Sequence, residues 1–228
     1  MQESAHLIQN FTTIQTTIEQ ACRRSNRDIQ AISIMAVTKY APDEKVLALL
    51  DTGKIKHIGE SRIQQAYKRW TSPSFAKYAV TKHFIGHLQS NKVAQAVQLF
   101  DFIDSIDNFK IAQALDLQAA KQHKHLHVLL QIKLTNKESQ FGVSLENAPQ
   151  LLKEVSVLSH LYPCGYMAIA PQTADQALLR DLFSQVKKAF DRDFPQGPRY
   201  LSLGMSEDFE IAVETGSTLP RIGSKLFA

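Results

Sequence analysis

Short apolar runs alternate with amphipathic helical stretches along almost the whole chain, and this alternation restricts the fold more than any other feature. Strand-like runs fall at 32–39, 56–59, 83–86, 100–106, 125–134, 165–170, 200–205 and 221–227. Their length and β-branched content are those of buried strands. Helical patterns separate most of them, at 42–50, 61–70, 90–99, 107–117, 147–158, 173–190 and 206–215. Pro42 suits a first helical turn, Asp43 and Glu44 suit the positive helix end, and Asp107 suits an N-cap. Strands that alternate with helices form a parallel sheet, and eight of them predict a closed (β/α)8 TIM-type barrel, with an open doubly wound sheet as the alternative. A further helix precedes the first strand, with Leu7, Phe11, Ile14 and Ile18 at helical spacing. The 228 residues carry no internal repeat and no low-complexity linker. The loop-like stretch 191–199 is too short to separate domains, so residues 1–228 are expected to form a single domain.

Composition excludes several function classes. The formal charge is +4 and the cations are scattered, without the basic run that a nucleic-acid surface would need. Cys22 and Cys164 lie far apart with no metal-ligand spacing, as in a reducing compartment. The start of the chain lacks a signal-peptide pattern, and no apolar stretch reaches the length of a membrane span. A cytoplasmic protein is expected. The eight histidines include the alternating His123, His125 and His127, and His83 with His87, but no acid or cysteine completes a ligand set, so no metal is expected. A Gly-x-Ser-x-Gly elbow and a Gly-x-Gly-x-x-Gly loop are both absent.

The chemistry concentrates at strand ends. Lys39 closes the first strand-like run, and in a parallel barrel the C-terminal strand ends face the active-site mouth. Burial depresses an ammonium's pKa, and a neutral amine forms a Schiff base with an aldehyde. A lysine after a strand also simply snorkels to solvent, and Lys133 ends the fifth run in the same way. Gly204, Met205 and Ser206 form one phosphate-binding turn pattern, and Arg221, Ile222, Gly223 and Ser224 form another. Ser206 is readable as a helix N-cap, Ser224 supplies a hydroxyl, and Gly223 admits close backbone approach. Arg221 and Gly223, two apart, share one strand face. The pair of turns falls on the seventh and eighth strands, a recurrent phosphate site of such barrels, and the eighth strand adjoins the first. An amine for an aldehyde beside groups for a phosphate points to pyridoxal phosphate.

These residues resemble the pyridoxal phosphate homeostasis proteins of the YggS/PROSC type. The matching segments are Ala36-Val37-Thr38-Lys39, Gly59-Glu60, the block from His83 to Lys92, Ser105-Ile106-Asp107, Leu203-Gly204-Met205-Ser206 and the run from Gly216 to Ser224. The resemblance implies a barrel similar to the N-terminal domain of alanine racemase, with Lys39 holding the cofactor as an internal aldimine. It implies that Ser206, Gly223 and Ser224 hold the phosphate and that Arg221 lies by the pyridine nitrogen, with Met205 in the same turn. It further implies a monomeric protein that buffers the cofactor or delivers it to apo-enzymes and affects amino-acid and keto-acid balance. Three positions depart from the family pattern: Ser61 stands where Asn is usual, Lys133 where Asn is usual, and Gln140 where Lys is common.

Two other readings compete. One is a pyridoxal phosphate-dependent amino-acid racemase or decarboxylase. Against it, two-domain relatives complete the site from a β-domain, whereas this sequence stops after the barrel. Arg221 also disfavours a protonated ring, which weakens the electron sink. The other is a cofactor-free lysine aldolase, which leaves the terminal motifs unexplained.

Overall fold

The structure, a computed structural model, describes residues 2–135, 140–196 and 199–228. Helix α1 (Gln2–Arg24) leads into β1 (Met35–Val37), α2 (Asp43–Asp51), β2 (His57–Glu60), α3 (Ile63–Trp70), α4 (Pro73–Ala76) and β3 (Thr81–Phe84). Next come α5 (Val93–Leu99), β4 (Phe102–Ile106), α6 (Phe109–Lys121), β5 (Leu126–Ile132), α7 (Ala148–Ser156) and β6 (Leu161–Ala168). The chain closes with α8 (Gln176–Asp193), β7 (Tyr200–Ser202), α9 (Phe209–Thr215), β8 (Arg221–Ile222) and α10 (Ser224–Phe227).

The eight strands form one sheet in the order β7-β6-β5-β4-β3-β2-β1-β8, with every paired neighbour parallel. The last strand returns to the first, Met35 opposite Arg221 and Ala36 opposite Ile222. That is the near-closed (β/α)8 barrel expected from the alternation. Closure across β7 and β8 uses no regular ladder among the described residues. Instead Arg221 N–H donates to Gly204 O at 3.0 Å, Thr218 N–H to Leu201 O at 2.9 Å, and Ser217 Oγ to Leu203 O at 2.7 Å.

Side chains alternate across each strand. The outward set packs against the helices in one large apolar core. The inward set includes a separate small cluster of Phe102, Leu129, Cys164 and Met167 that fills the lumen. Helix α1 adds its own stripe, Leu7, Phe11, Ile14, Ile18, Ala21 and Cys22, all buried, and packs on α2, α9 and α10. Each such large aliphatic or aromatic side chain contributes about 1.5–3 kcal/mol on burial.

Several boundaries differ from the sequence reading. Strand β1 ends at Val37, so Lys39 sits two residues past it, half-buried in a turn. Residues 29–31 form a 3-10 turn instead of leading straight into the strand. The cap of α6 is Asn108, whose Oδ1 accepts from Ile111 N–H at 3.0 Å; Asp107 instead accepts from the Asn108 amide. Helix α9 begins at Phe209 rather than Ser206, because Asp208 Oδ1 accepts from Met205 N–H at 2.6 Å and holds 205–208 as a tight turn. The run after Ile222 is a helical turn, not strand, so Ser224 opens α10. Within the loop-like stretch 191–199, residues 197 and 198 lie outside the described residues, as do residues 136–139 after the fifth strand-like run.

Candidate functional site

A cavity of about 650 Å³ opens at the C-terminal end of the barrel. Its size is that of a small-molecule pocket. Lys39, Met205, Ser206, Arg221, Gly223 and Ser224 all line it, together with Val37, Ile85 and the loop after β6. The inward alternation of β1 explains part of this: Val37 and Lys39 are two apart and reach the same cavity.

The turn carrying Lys39 is held from behind. Arg69, on α3, donates from Nη1 to Thr38 O at 2.9 Å and from Nη2 to Ala41 O at 2.7 Å, one carbonyl on each side of the lysine. The same guanidinium meets Glu60 Oε1 at 3.0 Å. Glu60 is only 1% exposed and also accepts from Thr38 Oγ1 at 2.7 Å and from Trp70 Nε1 at 3.3 Å. A buried carboxylate with three donors is stable where it stands, and it fixes the guanidinium fork in one orientation. Sequence reading noticed Gly59-Glu60 but not Arg69, whose partners lie 9 and 31 residues away. The Lys39 ammonium lies 5.3 Å from the centroid of the exposed Tyr40 ring.

Across the cavity, the turns after β7 and β8 converge. Gly204 has φ of +85°, and a Cβ there would lie 2.5 Å from Ala212 Cβ, so only glycine fits this bend. Ser206 is buried and its Oγ accepts from Lys225 N–H at 3.3 Å, which ties the two turns together. Ser206 therefore bridges to α10 and does not cap α9. The backbone N–H groups of Ser206, Glu207 and Ser224 have no acceptor among the described residues. Free N–H groups on two turns that line one cavity are the kind of group that can cradle an anion.

Arg221 is 3% exposed, so it is no surface ion pair. Its Nη1 donates to Ser202 O at 2.6 Å and Ser202 Oγ at 2.9 Å, and its Nη2 to Ala168 O at 2.8 Å. The Nε–H has no acceptor among the described residues, and the side chain lines the cavity. Burial lowers its pKa to about 10, partly offset by Asp104 and Asp208, so it stays a cation at neutral pH.

Below Arg221 the lumen holds a polar chain that sequence reading missed. His57 Nδ1 is 3.0 Å from His83 Nε2, and His83 Nδ1 is 3.0 Å from both oxygens of Asp104. His83 and Asp104 are fully buried. They come from β2, β3 and β4, so only strand register unites them. Among the described residues, no three His, Cys, Asp or Glu side chains are placed to hold a metal ion. Lys133 is half-buried and, like Ser61 and Gln140, is not among the cavity's lining residues. Gln140 instead ties the loop after β5 to Ile169 O at 2.7 Å. Among the described residues no helix is long and apolar enough to cross a membrane.

Comparison with known proteins fits this geometry. The family model of the alanine racemase N-terminal domain matches residues 10–228. The pyridoxal phosphate homeostasis protein of Pasteurella multocida is 32% identical over 223 residues, covering 96% of this chain and 95% of that protein. That of Escherichia coli K12 is 32% identical over 232 residues, covering 100% and 97%. The solved structure of PipY from Synechococcus elongatus PCC7942, with PLP bound, superposes with a TM-score of 0.80 at 30% identity, covering 93% of this chain and 100% of that one. The chain therefore belongs to the family built on the alanine racemase N-terminal domain, and within it to the pyridoxal phosphate homeostasis proteins.

Proposed function

We propose that this chain binds pyridoxal 5'-phosphate in the barrel-mouth cavity and serves as a cofactor reservoir rather than as an efficient enzyme. One observation carries the reading: an amine, Lys39, faces the same cavity as an anion cradle built from Ser206, Gly223 and Ser224. Lys39 Nζ would supply the amine that holds the cofactor's aldehyde carbon. The free N–H groups at Ser206, Glu207 and Ser224, with the serine hydroxyls, hold the phosphate. Met205, 39% exposed, covers the cavity rim. Arg221, whose Nε–H is free among the described residues, would supply the donor for the pyridine nitrogen.

When bound, the cofactor offers an electron sink for amino-acid chemistry, and that sink works best with a protonated ring. A guanidinium does not give up its proton to the ring, and its charge opposes ring protonation. The Arg221 guanidinium is locked by three hydrogen bonds to Ser202 and Ala168, so it cannot step aside. That argues for reversible storage, in keeping with the name of the relatives. Residues 1–228 then act as one cofactor-binding barrel, monomeric in the cytoplasm, that passes its load to apo-enzymes. The racemase or decarboxylase reading has no comparable support.

The deciding experiment is borohydride trapping of purified protein. The protein should be yellow, and reduction should bleach the band and label Lys39. A label on Lys133, or none on protein incubated with excess cofactor, refutes the assignment.

A further inference from the structure

A second cavity lies at the opposite, N-terminal end of the barrel, between α1 and the loops that enter β1 and β2. Its volume is about 290 Å³. Phe11, Gln30, Ser33, Lys54, Lys56 and His57 are among its lining residues, and no carboxylate among the described residues lines it. Lys54 Nζ stands 5.4 Å from the centroid of the Phe11 ring, which holds its charge over the cavity. Lys56, adjacent to His57 in the chain, lines the same cavity.

His57 is 9% exposed and forms the inner wall. Its hydrogen-bonded chain fixes the direction in which its outer nitrogen works. With His83 as a neutral imidazole whose Nδ1–H donates to the Asp104 carboxylate, His83 Nε2 is an acceptor. His57 Nδ1–H donates to that acceptor, which leaves His57 Nε2 as a bare lone pair. No group among the described residues bonds to His57 Nε2. The cavity thus combines two lysines with one imidazole nitrogen that has no partner among the described residues.

We propose that this floor cavity is a binding site for a small tetrahedral oxyanion that still carries an O–H, namely hydrogen phosphate or a phosphate monoester in its monoanionic form. The lysines neutralise the charge, and the ligand's O–H donates to His57 Nε2. A fully deprotonated anion offers His57 no donor and leaves two acceptors face to face. The site is separate from the barrel-mouth cavity and shares no lining residue with it.

The test is an NMR titration of the full chain at neutral pH, read at the imidazole nitrogens of His57. Inorganic phosphate should shift them saturably, with a dissociation constant of about 1 mM, the range of a few charge-assisted contacts. Sulfate has no proton to give and should bind about tenfold more weakly. Methyl phosphate near pH 6 distinguishes the sources: saturation by it as well assigns a monoester group, and saturation by inorganic phosphate alone assigns the free ion. Lys54→Gln/Lys56→Gln changes two exposed residues and should weaken phosphate about tenfold while the amide spectrum keeps its fold. Ser206→Ala/Ser224→Ala, in the other cavity, should leave the His57 response in place. The proposal is overturned if His57 shows no saturable response, if sulfate binds as tightly as phosphate, or if the serine variant rather than the lysine variant abolishes the effect.

Discussion

Mild acid should weaken this barrel, and a large part of the loss should pass through His57. Burial first, then the neighbouring His83 and Lys56, push its pKa down to about 4, against the opposing pull of Asp104. In the unfolded chain the same imidazole titrates near 6.5, as a free histidine does. Between these two values the unfolded state takes up a proton that the folded state refuses. Stability from this group is therefore complete above about pH 6.5 and drains away as the pH falls toward about 4. A gap of this width corresponds to about 3 kcal/mol. That is a large share of the ~5–15 kcal/mol that typically holds a domain together. The assay is urea unfolding from about pH 7 down to about pH 4, on the parent protein and on His57→Gln. The Gln amide can still donate to His83 Nε2 but cannot titrate. Asp193 and Glu214, whose pKa values are lowered by Arg192 and Tyr166 and by Arg24 and Arg180 despite the raising effect of burial, also lose stability on acidification, but equally in both proteins. The parent should lose about 3 kcal/mol more than the variant over this range. Parallel curves would refute the reasoning.

Ser206→Ala and Ser224→Ala should each weaken cofactor retention by about 1–3 kcal/mol, measured by equilibrium dialysis, and an unaffected double variant excludes the phosphate role. Arg69→Lys keeps a cation beside Glu60 but loses the fork that grips Thr38 and Ala41, so stability should drop by about 1–2 kcal/mol and loading of Lys39, followed by absorbance, should slow. Equal loading rates would show that Arg69 does not position the lysine. A panel of L- and D-amino acids should give at most slow racemisation, decarboxylation or transamination, and turnover of about 1 s⁻¹ or more on any of them would make this a true enzyme.

The barrel was legible because each strand-like run carries its own local signal. The site was legible because Lys39, Ser206 and Ser224 follow strands, and parallel barrels gather strand ends at one mouth. Exact limits were not, since β8 holds two residues and β1 three, too few to set a period. The start of α9 hinged on which of Ser206 and Asp208 bonds backwards, and both side chains are capable of it. Asp107 and Asn108 posed the same choice. The clamp of Glu60 and Arg69 and the chain from His57 to Asp104 escaped notice for another reason. Each joins residues on different elements, and no spacing along the sequence marks residues that only the packed fold brings within 3.0 Å.

The irregular join between β7 and β8 has a consequence for how such a barrel would take up and give back its load. One half of the anion cradle, at Ser206, follows β7; the other half, at Ser224, follows β8. A ligand gripped by both spans the joint as a rivet spans two plates. Occupancy then raises the free energy of local opening there by RT ln(1 + [L]/Kd), while the laddered remainder of the wall stays as it was. The cradle therefore straddles the join of the described wall that side-chain hydrogen bonds of Ser217, Thr218 and Arg221, rather than a regular ladder, hold closed.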